Sequence, residues 1–390
     1  VGCAEYHNMV VSLAFILALA SNIFFWLSLQ SLYPALPLYI ASLGGTPSDN
    51  GLATFAAAAA AVISRLFIGV LADRVGRKPV MVLGGIIAAV TPVLYGVSAA
   101  MPALLAARAL SGIGIAAFST GFQALLADLV PSERRGEAFG WGGNSMALAS
   151  LAGPLIGDWV TSHQGFPIVF ALAGVAGLLC GLTALIIREP SCQREINSLP
   201  FHGLRGTLAL RNVRAGVVAV SPMGMAYGAL ITFWPLVAQQ NHLNTTGAFF
   251  SVYALGMLTV QILAGRLSDR HGRARVMLPG MLLSGAAFTM IPVVRSDAAS
   301  LLVAFACGAG LGIARTAIDA LSLDGVPVGL RGMAVAVEFT TNDWWIGLGS
   351  ALLGSLAGLA SFSAAYAVAG AACVATAGGL AMVRRRTSAL

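Results

Sequence analysis

Gly69-Val70-Leu71-Ala72-Asp73-Arg74-Val75-Gly76-Arg77 returns 196 positions later as Gly265-Arg266-Leu267-Ser268-Asp269-Arg270-His271-Gly272-Arg273. A second pair has the same offset: Asp128, Pro131, Arg135 and Gly136 recur as Asp324, Pro327, Arg331 and Gly332. Two unrelated segments sharing one offset identify the chain as two structural copies of about half its length, and function is to be sought where such halves meet.

Composition decides the solvent. Of the 390 residues 58% are hydrophobic and only 9% charged, and the mean hydropathy is +0.85, so there is too little polar surface to cover a soluble domain of this length. Apolar stretches of about 20 residues, enough to cross a bilayer, occur twelve times between a first at 9–39 and a last at 361–383, six per copy. They are rich in Ala, Leu and Gly and lack the alternating pattern of a transmembrane barrel. The sequence therefore predicts an all-α polytopic membrane protein with twelve transmembrane helices in two pseudo-symmetric six-helix bundles. Residues 1–187 form the first bundle and 213–390 the second. The basic linker 188–212 carries Pro190 and Pro200 and has room for a short surface helix.

Basic residues orient the bundle. With both termini cytoplasmic, the inner loops hold 18 of the 22 Lys and Arg residues and the outer loops only Arg295; Arg65, Arg108 and Arg315 fall within spans. This distribution satisfies the positive-inside rule. It also accounts for the net charge of +7 through the anionic inner leaflet, with no nucleic acid as partner. The segment Val1–Asn8 lacks the basic start of a signal peptide. The predicted location is the inner (plasma) membrane, multi-pass. Cys3, Cys180, Cys192, Cys307 and Cys373 are scattered and odd in number, and read as packing residues with neither disulfide nor metal spacing.

These residues resemble the major facilitator superfamily, and within it the twelve-helix drug:proton antiporter type. The loop motif G-x-L-a-D-R-x-G-R-K is matched from Gly69 to Lys78 and is repeated after the eighth span. The fourth-span motif R-x-x-x-G-x-G is matched by Arg108, Gly112 and Gly114. The fifth-span antiporter motif is met at Gly140, Gly153, Pro154 and Gly157, with Ala149 and Asp158 where glycines are usual. The resemblance implies alternating access, with Gly69, Asp73, Arg74, Gly76, Arg77 and Asp128 as gating residues and Asp269, Arg273 and Asp324 as their copies. Asp73 is expected to face the positive N-terminus of the eleventh helix near Ala334, and Asp269 the start of the fifth near Ala138. Arg77 is expected to pair with Asp128, and Arg273 with Asp324.

Ionisable residues inside spans are costly unless paired or wetted. Asp343, Glu338, Asp319 and Arg108 are the proton-coupling candidates. Arg315 and Asp319, four apart, can pair on one helix face. Arg65 is expected at the depth of Glu338 and within reach of it as a gating pair. None of these charges is duplicated: Glu338 maps onto Gly142, Asp343 onto Ala147, Arg315 onto Ser119, Asp319 onto Gln123, Arg65 onto Gln261 and Arg108 onto Ala304. Loop charges repeat as scaffold, while intramembrane charges mark specialisation. Asn22, Trp26, Gln30 and Tyr33 form a polar and aromatic stripe on the first span. Tyr227, Asn342 and Trp344 join them, with Arg315, as cavity candidates, and the aromatics suit flat or cationic ligands. Trp159 reads as an interfacial belt residue, and Trp234 either as another or, with Tyr227 and Thr232, as part of the cavity.

Enzymatic function is disfavoured. There is no G-x-x-x-x-G-K-[ST] loop for ATP, and His7, His163, His202, His242 and His271 lie outside the spans without metal spacing. No metal or cofactor is called for. The expectation is a secondary active transporter, monomeric in the lipid bilayer, working by alternating access and exporting a small amphipathic or cationic compound in exchange for protons. The alternative is a carrier of a carboxylated metabolite or metal-chelating small molecule held by Arg108 and Arg315. A channel fits the two-copy design less well, and substrate-dependent proton flux separates a transporter from a receptor or structural membrane protein.

Overall fold

The computed structural model describes residues 13–98, 100–131, 134–189, 204–327 and 330–387, and among them all regular structure is helical. The first half comprises α1 (Leu13–Gln30), α2 (Ala35–Ser42), α3 (Pro47–Val75), α4 (Arg77–Val97), α5 (Met101–Asp128), α6 (Arg135–Gln164) and α7 (Phe166–Ile186). Then come α8 (Leu204–Ala209), α9 (Arg211–Gln240), α10 (Thr246–His271), α11 (Arg273–Met290) with a 3₁₀ turn at Ile291–Val293, α12 (Asp297–Leu323), α13 (Arg331–Leu359) and α14 (Phe362–Thr387). The repeat is kept to the residue: α4 and α11, α5 and α12, α6 and α13, and α7 and α14 each begin 196 positions apart. The short helix α8 lies in the predicted linker; Cys3, Cys192, His7 and His202 lie outside the described residues.

Length and composition qualify ten spans to cross a membrane among the described residues, the first running through α1 and α2 as Leu13–Ser42. The long helices that fall short on composition are α6 and α13, of 30 and 29 residues. They are repeat partners, and each carries polar residues mid-helix: Asn144 and Ser145 in one, Glu338, Thr340, Thr341, Asn342 and Asp343 in the other.

Local chemistry sets the helix ends. The turns between α3 and α4 and between α10 and α11 each use one glycine at positive φ, Gly76 at 113° and Gly272 at 90°, a conformation that a Cβ disfavours. This is why the loop motif keeps a glycine there in both copies. Thr46 and Asp49 close a capping box at the start of α3: the Thr46 amide donates to Asp49 Oδ2 at 2.7 Å, and the Asp49 amide donates to Thr46 Oγ1 at 3.3 Å. Ser296 caps α12 by accepting from the Ala299 amide.

The chain divides into two compact units, Val1–Ala35 with Ala59–Leu199, and Leu36–Ala58 with Pro200–Leu390. In the first, Phe25, Phe118 and Phe122 stack in series, with centroids 4.1 and 5.9 Å apart, over Met81 and Leu125. In the second, Trp234 stacks on Phe249 at 3.8 Å. Trp234, expected at a membrane interface or in the cavity, is instead wholly buried, its indole N–H donating to the Thr246 carbonyl at 3.0 Å; the ring serves to join α9 to α10. Trp159 is exposed, as a belt residue would be. The first span, read as one helix over 9–39, breaks at 31–34, because Pro34 brings no amide hydrogen and the preceding residues close in tight turns.

Candidate functional site

In the first unit the loop motif gathers a charge knot at one end of the bundle. Arg77 donates to Asp73, one turn before it, and its Nε lies 3.3 Å from Asp128 Oδ2 on α5; the guanidinium side chain is only 15% exposed. The Arg77 amide, at the N-terminus of α4, donates to Glu189 Oε1 at 2.7 Å, which places a carboxylate where the helix dipole favours one. Arg273 repeats the design in the second unit, donating to Asp269 and lying 3.1 Å from Asp324. The second knot is more open, with the Asp269 side chain 67% exposed. Both pairings expected between the loop and the following helix are therefore present. Gly69 has open space around it and Arg74 is exposed.

A polar ladder joins α1 to α6. Asn22 is buried, and its Nδ2 donates to Ser145 Oγ at 2.7 Å and to the Gly142 carbonyl at 3.1 Å, while its Oδ1 accepts the Trp26 indole N–H at 3.1 Å. One end further, Gln30 Nε2 donates to Ser150 Oγ at 2.8 Å. Asn22 and Gln30, expected to line a cavity, each donate through the side-chain amide to α6. Trp26 and Tyr33 on the same stripe are half-buried. Close approach is possible because α6 carries its glycines here: a Cβ on Gly157 would overlap the Ser31 carbonyl oxygen. Gly153 and Gly157 of α6 therefore pack against the end of α1 and the turn that follows it.

The second unit holds a denser group of charges, on α12 and α13. Arg315 Nε donates to Asp319 Oδ1 at 2.6 Å, and its guanidinium lies 3.7 Å from Glu338 Oε1 across the helix contact. Glu338 is 3% exposed and the Asp319 side chain 48%, so one cation faces a sequestered and an open carboxylate. The Arg315 guanidinium also sits 4.9 Å from the centre of the Phe339 ring. One turn beyond lie Asn342 and Asp343, both half-buried. Trp344 is 38% exposed and meets Phe55 edge-on at 5.8 Å. Tyr227 stacks with Tyr253 at 5.9 Å. Arg65 on α3 and Arg108 on α5 are half-buried in the span.

Glu189, Phe339, Ser145 and Ser150 take part in these clusters without having been singled out from the sequence. Phe339 carries no signal in a chain with 18 phenylalanines. Glu189 had one, a lone acid at the end of an apolar span beside the basic linker.

Comparison with known proteins places this architecture. Residues 15–241 and 216–389 each match the family model described as Major Facilitator Superfamily. The Quinolone resistance protein NorA of Staphylococcus aureus (strain Mu50) is 30% identical over 175 residues, 44% of either chain. The Synaptic vesicular amine transporter of Bos taurus is 26% identical over 291 residues, 73% of this chain and 55% of that protein. The matched stretches span about half the length of these curated relatives. Among solved structures, a mutant form of the nucleoside transporter NupG superposes with a TM-score of 0.76 at 14% identity, covering 94% of this chain and 98% of that one. A bacterial homologue of the human lysosomal transporter Spinster, inward-facing and unoccupied, superposes with a TM-score of 0.73 at 18% identity, covering 98% and 96%.

Proposed function

Since this chain belongs to the Major Facilitator Superfamily, we propose that it is a secondary active transporter of the inner membrane, working by alternating access and exchanging protons for a small amphipathic or cationic compound. The observation that carries this reading is the Arg315, Asp319 and Glu338 cluster. Two carboxylates share one guanidinium, and the buried one has an oxygen with no hydrogen-bond donor. An acid so placed is a proton site: uptake removes a charge that hydrocarbon disfavours, and release is favoured when water or a cation reaches it. Asp343, one turn from Phe339, is the second coupling candidate, and Arg108 the coupling candidate of the first unit.

The amine-transport name of one curated relative favours a cationic cargo. The alternative, a carboxylated metabolite or metal-chelating small molecule held by Arg108 and Arg315, is less favoured on the Arg315 side, because Arg315 already serves two carboxylates. In the proposed cycle the loop knots at Arg77 and Arg273 act as latches, and the basic loops face the cytoplasm. The test is substrate-dependent proton movement in proteoliposomes carrying an imposed pH gradient. Addition of a lipophilic cation such as tetraphenylphosphonium or ethidium should discharge the gradient, and Glu338→Gln should abolish that discharge. A wild-type protein that leaves the gradient untouched with every cation tried would remove the antiport reading.

A further inference from the structure

The contact of α12 with α13 repeats that of α5 with α6, and the two copies fill it differently. In the first, Gly142 on α6 faces Phe122 and Leu126 on α5, whose side-chain atoms lie 3.1 to 3.3 Å from where its Cβ would stand. The positions 196 further on are Glu338 on α13, and Ile318 and Ser322 on α12. An apolar joint has thus become a polar one. Glu338 and Ser322 are both buried, and Glu338 Oε1 has no hydrogen-bond partner there, an arrangement that is costly unless something further is bound.

Asp319 completes the arrangement. Arg315 meets Asp319 through Nε at 2.6 Å and Glu338 through Nη2 at 3.7 Å, adjoining nitrogens on one edge of the guanidinium, so the two acids are held side by side. The Asp319 carboxyl is also within hydrogen-bonding reach of Glu338. Ionised carboxylates only accept hydrogen bonds, so this approach is a bond when one of the two carries a proton and a repulsion when neither does. Among the described residues, the charged groups acting on Glu338 are Asp319 and Arg315, both from α12. With one proton the three side chains sum to zero charge, the state that hydrocarbon tolerates; without it they carry a net negative charge that draws a cation.

We propose that Asp319 and Glu338 form a proton-sharing carboxyl pair, in which a single proton is held between the two side chains beside Arg315. Exposure divides their roles. The Asp319 side chain is 48% exposed whereas Glu338 is sealed, so the proton enters and leaves by way of Asp319, passing to water as the bond between the two acids opens. This rests on the transporter reading above and extends its proton site from Glu338 to the pair. Arg315 is a positioning residue: it aligns both carboxylates and, always charged itself, takes no proton from them.

The experiment reads the proton itself and needs no cargo. Infrared difference spectra of the purified full-length protein, taken between neutral and alkaline pH, should show a protonated-carboxyl absorption that is lost on the alkaline side. Asp319→Asn should remove this absorption although Glu338 remains, Glu338→Gln should remove it although Asp319 remains, and the double variant should lose no more than either single one. Asp319→Glu, which keeps two acids, should retain it. A Glu338 protonated through burial alone would keep its absorption in Asp319→Asn, and that outcome overturns the pair, as does an absorption that survives Glu338→Gln or is missing from the wild type. A tetraphenylphosphonium-driven proton-flux assay, run in parallel, tests the antiport separately. Flux without the shared absorption removes the pair and leaves the antiport standing; the full infrared pattern in a protein without flux leaves the pair standing and removes the antiport.

Discussion

At position 338 a carboxylate has been taken out of water and given part of one arginine. Breaking such an arrangement from the cation side leaves an uncompensated buried acid, a change worth about 3 kcal/mol. Arg315→Ala should therefore lower the unfolding midpoint of the purified protein measurably, and adding Glu338→Gln to it should restore most of the loss; simple additivity of the two changes would mean that Arg315 and Glu338 are not coupled. On transport, Glu338→Gln should retain downhill exchange of cargo and lose proton-driven accumulation, measured as uptake with and without a pH gradient. The Arg315 to Asp319 pair was legible in the sequence because a spacing of four on a helix needs no knowledge of neighbours. The approach of Arg315 to Glu338 was not, since it depends on how α12 and α13 are rotated against each other. Asn22 and Gln30 show the converse difficulty. A polar residue in an apolar helix looks the same in sequence whether it faces water or a neighbouring helix, and here both face α6.

Helices as elements were the most legible level, because the 196-residue repeat places four pairs of helix starts in register. What the repeat could not give was the break between α1 and α2, which has no counterpart in the continuous helix α9. The proline signal at Pro34 was present, but the apolar run through it outweighed it. The seat of α6 on this break makes a clear contrast between glycines. Gly157→Ala should destabilise by about 1–3 kcal/mol, because its Cβ would enter the Ser31 carbonyl. Gly140→Ala, with open space, should change stability by less than about 0.5 kcal/mol. Thermal melts of the two single variants check this; equal shifts would show that α1 and α6 are not in close contact. The two loop knots should differ in the same way. Arg273 sits in the more exposed copy, so Arg273→Ala should cost under about 1 kcal/mol, and Arg77→Ala, more enclosed and tied to α5, should cost more.

For the whole molecule, the arginine distribution predicts an orientation that labelling can read. In a protein with Cys3 and Cys192 replaced by serine, the remaining Cys180, Cys307 and Cys373 are buried, which keeps background reaction low. A cysteine at Arg74 or Arg270 should react with a membrane-impermeant maleimide only after the cells are opened, and one at Ser162 should react in intact cells. The opposite pattern would invert the topology. By their contacts, residues 36–58 group with the second unit, although they precede the linker by far.

The boundary of that group runs through α3, a single unbroken helix whose first part belongs to one unit and whose remainder belongs to the other. Thr54 Oγ1 lies 2.9 Å from Thr232 Oγ1, and a Cβ on Gly51 would overlap the backbone of Ser350. Thr232 in turn donates to Ser350 Oγ at 3.2 Å. A gene severed in the linker would thus yield a carboxyl-terminal fragment that has lost a segment of its own unit, with the Thr232 hydroxyl on α9 and the glycine-sized notches at Gly347 and Gly354 on α13 stripped of what fills them. Such a fragment should be degraded when produced alone and rescued when the amino-terminal fragment is supplied in trans, so that inheritance of the two copies as one continuous polypeptide secures a part that neither half can do without.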